Sequence, residues 1–160
     1  MSGFDARKYW QDKGTNYRDT MQTEYHKNRL SMVNSLLEDS AHLAGSVLDF
    51  GCGDGELSER VLEAGGNVSC VDIDSQMVES TGTRLSAWTK AKSSQKGGKF
   101  SVAQGGVETL AHLTDGFFST VLAINVLAYL SESEEREFYT QTHRILRGGG
   151  LDSHSIKRVV

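Results

Sequence analysis

Short apolar runs alternate along the chain with stretches in which apolar residues recur every three or four positions. The runs have the length of strands and cover residues 47–50, 68–72, 99–103, 117–125 and 151 onward. The stretches between them have helical periodicity and cover residues 55–64, 76–88 and the region after 131. Strands that alternate with helices in this way form parallel sheets covered on both faces. The pattern therefore predicts an α/β fold with a doubly wound, mainly parallel sheet of five readable strands.

Residues with the chemistry of helix caps stand at the ends of these stretches. The expected N-terminal caps are Asp54 for the first helix, Asp74 or Ser75 for the second, and the capping box of Ser131 and Glu134 for the third. The glycines at 65–66 are expected to end the first helix in the left-handed conformation. These caps agree with the boundaries that the periodicity predicts.

Residues 1–46 form a predicted N-terminal helical segment that precedes a core at 47–160. Apolar residues have helical spacing from about residue 18 to 37, whereas Tyr9, Trp10 and Tyr17 stand in a polar stretch with little periodicity. These aromatic side chains are expected either to pack against the core or to form a lid over a bound ligand.

The composition predicts one globular domain, since 38% of the 160 residues are hydrophobic and 24% are charged. A net charge of −4 gives no electrostatic reason to expect a nucleic-acid partner. No apolar run approaches the roughly 20 residues that span a bilayer, and the first residues lack the apolar core of a signal peptide. We therefore expect no membrane partner and a cytoplasmic location.

The two cysteines of the sequence, Cys52 and Cys70, do not form a pattern typical of a disulfide framework or a metal site. Each lies in or beside a predicted strand. We expect both to be small, buried, reduced thiols, and we expect no bound metal.

A glycine-rich stretch follows the first predicted strand and carries the clearest chemical signal. Asp49 precedes glycines at 51, 53 and 55, and a helical pattern begins directly after them. Glycine allows a positive φ and a close approach of the backbone to a ligand, and a helix N-terminus attracts anions. Asp72 ends the second strand 21 residues after Gly51, where a carboxylate can accept hydrogen bonds from both ribose hydroxyls of a nucleoside.

The spacing D-x-G-x-G-x-G, with Asp72, the run ending at Asn125 and the turn at 146–150, resembles the motifs of class I S-adenosylmethionine (SAM)-dependent methyltransferases. The resemblance covers about residues 47–151. It implies a Rossmann-like fold, SAM as cofactor with S-adenosylhomocysteine as product, and a small-molecule substrate. The cofactor-binding residues that it implies are Asp49, Gly51, Cys52, Gly53, Gly55, Asp72, Ile73, Gly106, Val107 and Asn125.

The sequence departs from this family in two places. Gly106 stands where the family commonly has an aspartate that accepts the adenine amino group, which leaves the backbone N–H of Val107 as the expected contact with the base. The family's core has seven strands and ends in an antiparallel hairpin, whereas this sequence reaches Val160 after the fifth. Truncation, a natural fragment and an edge supplied by another chain are all open, and a homodimer is one expected way to cover that edge.

Methyl transfer from a sulfonium depends mainly on positioning, because the nucleophile must approach in line with the departing sulfur at about 3–3.5 Å. A general base assists a hydroxyl acceptor, and the candidates for this catalytic role are His154 and either Tyr129 or Asn125. No Asn-Pro-Pro-Tyr motif follows the fourth strand, which argues against methylation of a flipped DNA base. We therefore expect the acceptor to be an oxygen or nitrogen atom of a small molecule.

Two other classes of function remain open from the sequence. One is a catalytically silent SAM-binding subunit that needs a partner chain, as the missing strands and Gly106 suggest. The other is a nicotinamide-dependent oxidoreductase on a similar sheet, although its loops usually have the spacing G-x-G-x-x-G. Tighter binding of a nicotinamide dinucleotide than of SAM would identify the chain as an oxidoreductase of this kind.

Overall fold

Strands and helices alternate in the computed structural model, which describes residues 5–13, 24, 27, 28, 31, 43–92 and 98–147. The strands are β1 (Ser46–Phe50), β2 (Asn67–Asp72), β3 (Phe100–Gln104) and β4 (Thr120–Leu122). The helices with defined bounds are α1 (Ala6–Lys13), α2 (Glu56–Glu63), α3 (Ser75–Ala91) and α4 (Glu132–Ile145). Two 3₁₀ helices cover Val107–His112 and Leu127–Tyr129.

The four strands form one parallel sheet in the order β3-β2-β1-β4. The chain moves outward from β1 to β3 on one side and then crosses to β4 on the other side. The strand order therefore reverses beside β1, and ligands of open α/β sheets bind at the carboxyl edge beside such a reversal. The loops that follow all four strands meet at this edge.

Apolar side chains on both faces of the sheet form two hydrophobic clusters. Along β1, Val47 points into one cluster and Leu48 into the other, as the alternation of side chains along a strand requires. The first cluster includes residues of α2 and α3, and the second includes residues of α4. Helices thus cover both faces, which confirms the predicted α/β fold with a doubly wound parallel sheet.

Most predicted helix ends are confirmed. Asp74 caps α3 by accepting a hydrogen bond from the Gln76 N–H at 2.7 Å, and Ser131 and Glu134 form the expected capping box of α4. The chain leaves α2 through Gly65, whose φ is +81°. A local sequence signal was sufficient at these ends, because each cap bonds a group within three residues.

The predicted cap of α2 was wrong. The cap position is occupied by Gly55, which has a φ of +83° and no side-chain cap, while the Asp54 carboxylate lies 3.1 Å from the Arg84 guanidinium. Arg84 also donates through Nε to the Asp54 carbonyl oxygen at 2.9 Å. A partner thirty positions away therefore holds Asp54 outside the helix.

The fourth strand is shorter than the apolar run predicted, with only Thr120–Leu122 of residues 117–125 in the strand. Phe118 forms a separate parallel bridge with Leu146, and the chain leaves the sheet after Leu122. Phe118 is nonetheless buried, so the run reflects burial as well as strand structure. Four strands are described, and the fifth strand predicted from residue 151 lies outside the described residues.

A helix over Ala6–Lys13 occupies the stretch in which the sequence has little periodicity. Asp5 supports its first turn by accepting a hydrogen bond from the Lys8 N–H at 3.1 Å. Most of the predicted helix at 18–37 lies outside the described residues, although residues 24, 27, 28 and 31 have helical backbone. Within the described ranges, no helix is both long enough and apolar enough to cross a bilayer.

Candidate functional site

The glycine-rich loop after β1 has a backbone that other residues rarely adopt. Gly51, Gly53 and Gly55 have φ angles of +76°, +57° and +83°. The N–H groups of Gly51 and Cys52 both donate to the Val71 carbonyl oxygen, at 2.7 and 3.1 Å, and so fix the loop to the end of β2. Each glycine therefore meets a conformational requirement that a side chain would strain.

Neighbouring side chains also leave no room for a substituent at two of these glycines. A Cβ at Gly51 would lie 2.1 Å from a methyl group of Val126, and a Cβ at Gly55 would lie 3.0 Å from the Thr81 methyl group. Residues of two other elements thus pack directly against bare backbone. Gly51 and Gly55 are therefore required by the packing of the loop, and contact between the loop backbone and a ligand stays a prediction.

Asp72 connects the end of β2 to this loop. Its Oδ2 accepts a hydrogen bond from the Gly53 N–H at 2.8 Å, and its Oδ1 accepts one from the Asp74 N–H at 2.9 Å. Burial raises the pKa of Asp72, and these two hydrogen bonds oppose that rise. A carboxylate has about four acceptor sites, so Asp72 is held in place and can still accept bonds from a diol.

Asp49 lies beneath the loop and not on its surface. Asp49 is 2% exposed, and its carboxylate accepts a hydrogen bond from the Ser58 hydroxyl at 2.6 Å, which itself accepts one from the Cys70 thiol at 3.1 Å. Burial raises the pKa of Asp49 to about 6, against the lowering effect of Ser58. Asp49 is therefore placed to support the loop from the core side.

The predicted thiols are free and buried, as expected. The Cys52 sulfur lies 3.7 Å from the Thr81 hydroxyl, which donates to the Gly53 carbonyl oxygen at 2.7 Å. The Cys70 thiol and burial both raise the pKa of Cys52, so this thiol stays protonated. Cys52 thus belongs to the packing under the loop, and Thr81 is a contact that the sequence analysis missed because it is 28 residues away.

The loop after β3 contributes the remaining predicted contacts near β2. The Gly105 N–H donates to the Asp72 carbonyl oxygen at 2.9 Å, which places residues 105–107 beside Asp72. Val107 is buried, with 4% of the residue exposed, and its backbone contact with a base stays a prediction. Ile73 is half-buried between Asp72 and Asp74.

On the other side of β1, Asn125 follows β4 with a φ of +61° and an exposed side chain. It is the only described non-glycine residue with a positive φ. Such a conformation in a residue other than glycine is uncommon and often marks a functional position. Its neighbour Val126 is the residue that packs against Gly51.

Tyr129 lies in the 3₁₀ helix after β4 and contacts aromatic residues of α1. Its ring is stacked on Tyr9 with centroids 5.8 Å apart, and it meets Trp10 edge-on at 4.9 Å. Tyr9 and Trp10 also contact each other at 5.3 Å. The contacts bring α1 to the carboxyl edge of the sheet next to the glycine loop. The sequence analysis named these aromatic residues but could not pair them.

The other candidates lie outside the residues that the structure describes. His154 lies outside the described residues, as do Tyr17 and the turn at 148–150. In the part of the chain that the structure describes, no group of three His, Cys, Asp or Glu residues is placed to hold a metal ion.

Comparisons with known proteins agree with this geometry. Residues 47–150 match the protein family described as the methyltransferase domain. Among curated proteins, none matches the chain at a significant level.

Several solved structures share the fold at low sequence identity. Magnesium protoporphyrin IX methyltransferase (ChlM) from Synechocystis PCC 6803, solved with bound SAM, is 20% identical with a TM-score of 0.65, over 91% of this chain and 74% of that chain. The PH0226 protein from Pyrococcus horikoshii OT3 is 23% identical with a TM-score of 0.62, over 81% of this chain and 57% of that chain. The chain therefore spans little more than half the length of the second protein.

Proposed function

Because the chain belongs to the methyltransferase domain family, we propose that it transfers a methyl group from SAM to an oxygen or nitrogen atom of a small-molecule acceptor. The family match also confirms the cofactor that the resemblance implied. One observation carries the proposal: three glycines with positive φ end β1, and the N–H of the middle one, Gly53, bonds the Asp72 carboxylate.

The residues at the carboxyl edge fit this cofactor. Gly51, Gly53 and Gly55 offer backbone without side chains, and Asp72 offers acceptor sites for two ribose hydroxyls. Bound SAM would supply an activated methyl group: an acceptor atom would bond to the methyl carbon from the side opposite the sulfur as the carbon–sulfur bond breaks, and S-adenosylhomocysteine would leave. The protein's task is then to hold the acceptor at the correct distance and angle and to exclude water.

We assign the acceptor to the side of the glycine loop where β4 ends. Tyr9, Trp10 and Tyr129 form an aromatic surface there, which favours an acceptor with apolar or planar parts. In this proposal α1 acts as a lid, Asn125 contacts the cofactor beside the acceptor, and Tyr129 or His154 receives the proton that a hydroxyl acceptor loses.

Two free buried thiols support the proposed cytoplasmic location, and a homodimer stays a prediction.

Calorimetric titration with S-adenosylhomocysteine tests the cofactor site. We expect micromolar binding by the wild-type chain and at least about tenfold weaker binding by Asp72→Asn, since a charge-assisted hydrogen bond contributes about 1.5–3 kcal/mol. Asp115→Asn is the matched control, because Asp115 is an exposed carboxylate in the loop that precedes β4, at the opposite edge of the sheet. Equal affinities of the folded wild-type and Asp72→Asn chains would refute the site.

Methyl transfer itself is tested with small-molecule acceptors and SAM carrying a labelled methyl group. Turnover that falls in Tyr129→Ala, with unchanged affinity for S-adenosylhomocysteine, would support the proposed acceptor side. Cofactor binding without turnover until another chain is added would instead support a silent SAM-binding subunit.

A further inference from the structure

The order of the strands determines where the base of a bound nucleoside lies, if the proposed function holds. Asp72 at the end of β2 is the proposed ribose ligand, and the glycine loop lies on the β1 side of it. The base must then extend to the other side, over the end of β3. The backbone there is Gly105-Gly106-Val107, which has no polar side chain of its own.

A carboxylate from two residues further along the chain lies over this bare backbone. Glu108 is exposed, and its Oε1 accepts a hydrogen bond from the Gly106 N–H at 2.9 Å. Its Oε2 lies 2.7 Å from the point that a Cβ on Gly106 would occupy. The Glu108 carboxylate thus fills the space in which a side chain at position 106 would begin.

We propose that Glu108 is a specificity-determining residue that accepts a hydrogen bond from the exocyclic amino group of the adenine. A carboxylate is an acceptor without a proton to donate, so it favours an amino group and disfavours a base that presents a carbonyl oxygen. Glu108 therefore supplies, from position 108, the acceptor that Gly106 lacks. Sequence spacing alone does not reveal this role, because it depends on the side chain turning back over Gly106.

The competing explanation is purely structural. Glu108 is in the first turn of the 3₁₀ helix Val107–His112, and its bond to Gly106 satisfies one backbone N–H at the start of that helix. Loss of such a bond would weaken the binding of any nucleoside ligand to the same extent. The two explanations therefore differ in whether Glu108 distinguishes an amino from an oxo base.

The test compares S-adenosylhomocysteine with S-inosylhomocysteine, in which an oxo group replaces the amino group, by calorimetry on the full chain. We expect the wild-type chain to bind the adenosyl ligand more tightly than the inosyl ligand. In Glu108→Ala the ratio of the two affinities should fall about tenfold, mostly through weaker binding of the adenosyl ligand. Glu63→Ala, which removes an exposed carboxylate from the end of α2, should leave the preference unchanged.

Moving the carboxylate to position 106 gives a second, independent test. Gly106 has φ −110° and ψ −151°, an extended conformation that aspartate adopts readily, and Glu108→Ala removes the atom that crowds its Cβ. We expect the double variant Gly106→Asp/Glu108→Ala to regain preference for the adenosyl ligand. An unchanged preference in Glu108→Ala, or an equal loss for both ligands, would overturn the inference and leave the proposed function standing. Failure of the wild-type chain to bind either ligand would overturn both.

Discussion

Asp49 is a carboxyl group inside an apolar cluster, and its burial has an energetic cost. Val47 and Cys70 lie in the same cluster, and among the described residues the Ser58 hydroxyl is the group that donates a hydrogen bond to Asp49. Moving an ionised carboxylate out of water is unfavourable unless enough hydrogen bonds replace the water. A single neutral donor replaces only part of the hydrogen bonding that water would supply to the carboxylate. Burial therefore raises the pKa of Asp49 to about 6.

This pKa predicts how stability depends on pH. Below about pH 4 the carboxyl group is protonated in both the folded and the unfolded chain, so it has no effect. Between pH 4 and pH 6 the unfolded chain ionises first, and the folded state loses up to about 3 kcal/mol of stability, at 1.36 kcal/mol for each pKa unit. Urea unfolding from pH 4 to pH 7 should therefore show Asp49→Asn gaining stability over the wild-type chain as the pH rises. Parallel curves for the two chains would contradict the raised pKa. Glu63→Gln, which neutralises an exposed carboxylate at the end of α2, serves as the control.

At the scale of elements, α3 carries a glycine that its packing does not require. A Cβ on Gly82 would meet no atom within 4 Å, and the residue does not have a positive φ. Glycine in a helix interior is less favourable than alanine by about 0.5–1 kcal/mol because it loses more backbone entropy on folding. The seventeen-residue helix α3 is therefore less stable than it would be with alanine at position 82.

Gly82→Ala should stabilise the chain by about 0.5–1 kcal/mol in urea unfolding, with unchanged affinity for S-adenosylhomocysteine. The matched substitution Gly66→Ala should have the opposite effect and cost more than about 2 kcal/mol, since its Cβ would lie 1.8 Å from the Leu43 carbonyl oxygen. If both alanines changed stability in the same direction, the packing around one of these glycines would be different from that described.

The elements that the sequence predicted correctly are those whose determinants are local. Asp74 and Ser131 cap helices by bonding groups within three residues, and periodicity placed all three core helices within a few positions. Asp54 was assigned wrongly because its partner Arg84 comes from another helix. β4 was predicted too long because the apolar run at 117–125 extends beyond the short strand that pairs with β1 and includes the buried Phe118, which forms a separate bridge.

In the candidate site too, the sequence predicts the features with local determinants and not the contacts between elements. Three glycines and Asp72 were found because the backbone conformation and the strand end follow from the sequence itself. Contacts between elements were not predictable, since nothing in the local sequence relates Tyr9 to Tyr129 or Thr81 to Gly53. Glu108 lies close to Gly106 in sequence, but its contact depends on the course of the chain between β3 and the 3₁₀ helix.

At the scale of the whole molecule, the ligand edge joins parts of the chain that are distant in sequence. Loops after β1, β2, β3 and β4 meet there, and α1 reaches it through Tyr9 and Trp10. The unfolded chain holds none of these groups together. A ligand of this edge must therefore bind the folded state alone, and its binding must appear as added stability of the entire domain.

The midpoint of thermal unfolding measures this effect. S-adenosylhomocysteine at about 100 times its Kd should add about 2.7 kcal/mol, because a ligand that binds only the folded state stabilises by RT ln(1 + [L]/Kd). For a chain of this size each kcal/mol raises Tm by about 2–4 °C, so the expected increase is roughly 5–11 °C. At the same ligand concentration, Asp72→Asn with tenfold weaker binding should keep only about half of the added free energy. A shift of equal size in both chains would mean that the ligand binds elsewhere, because loss of the Asp72 charge must weaken a ligand that this carboxylate holds.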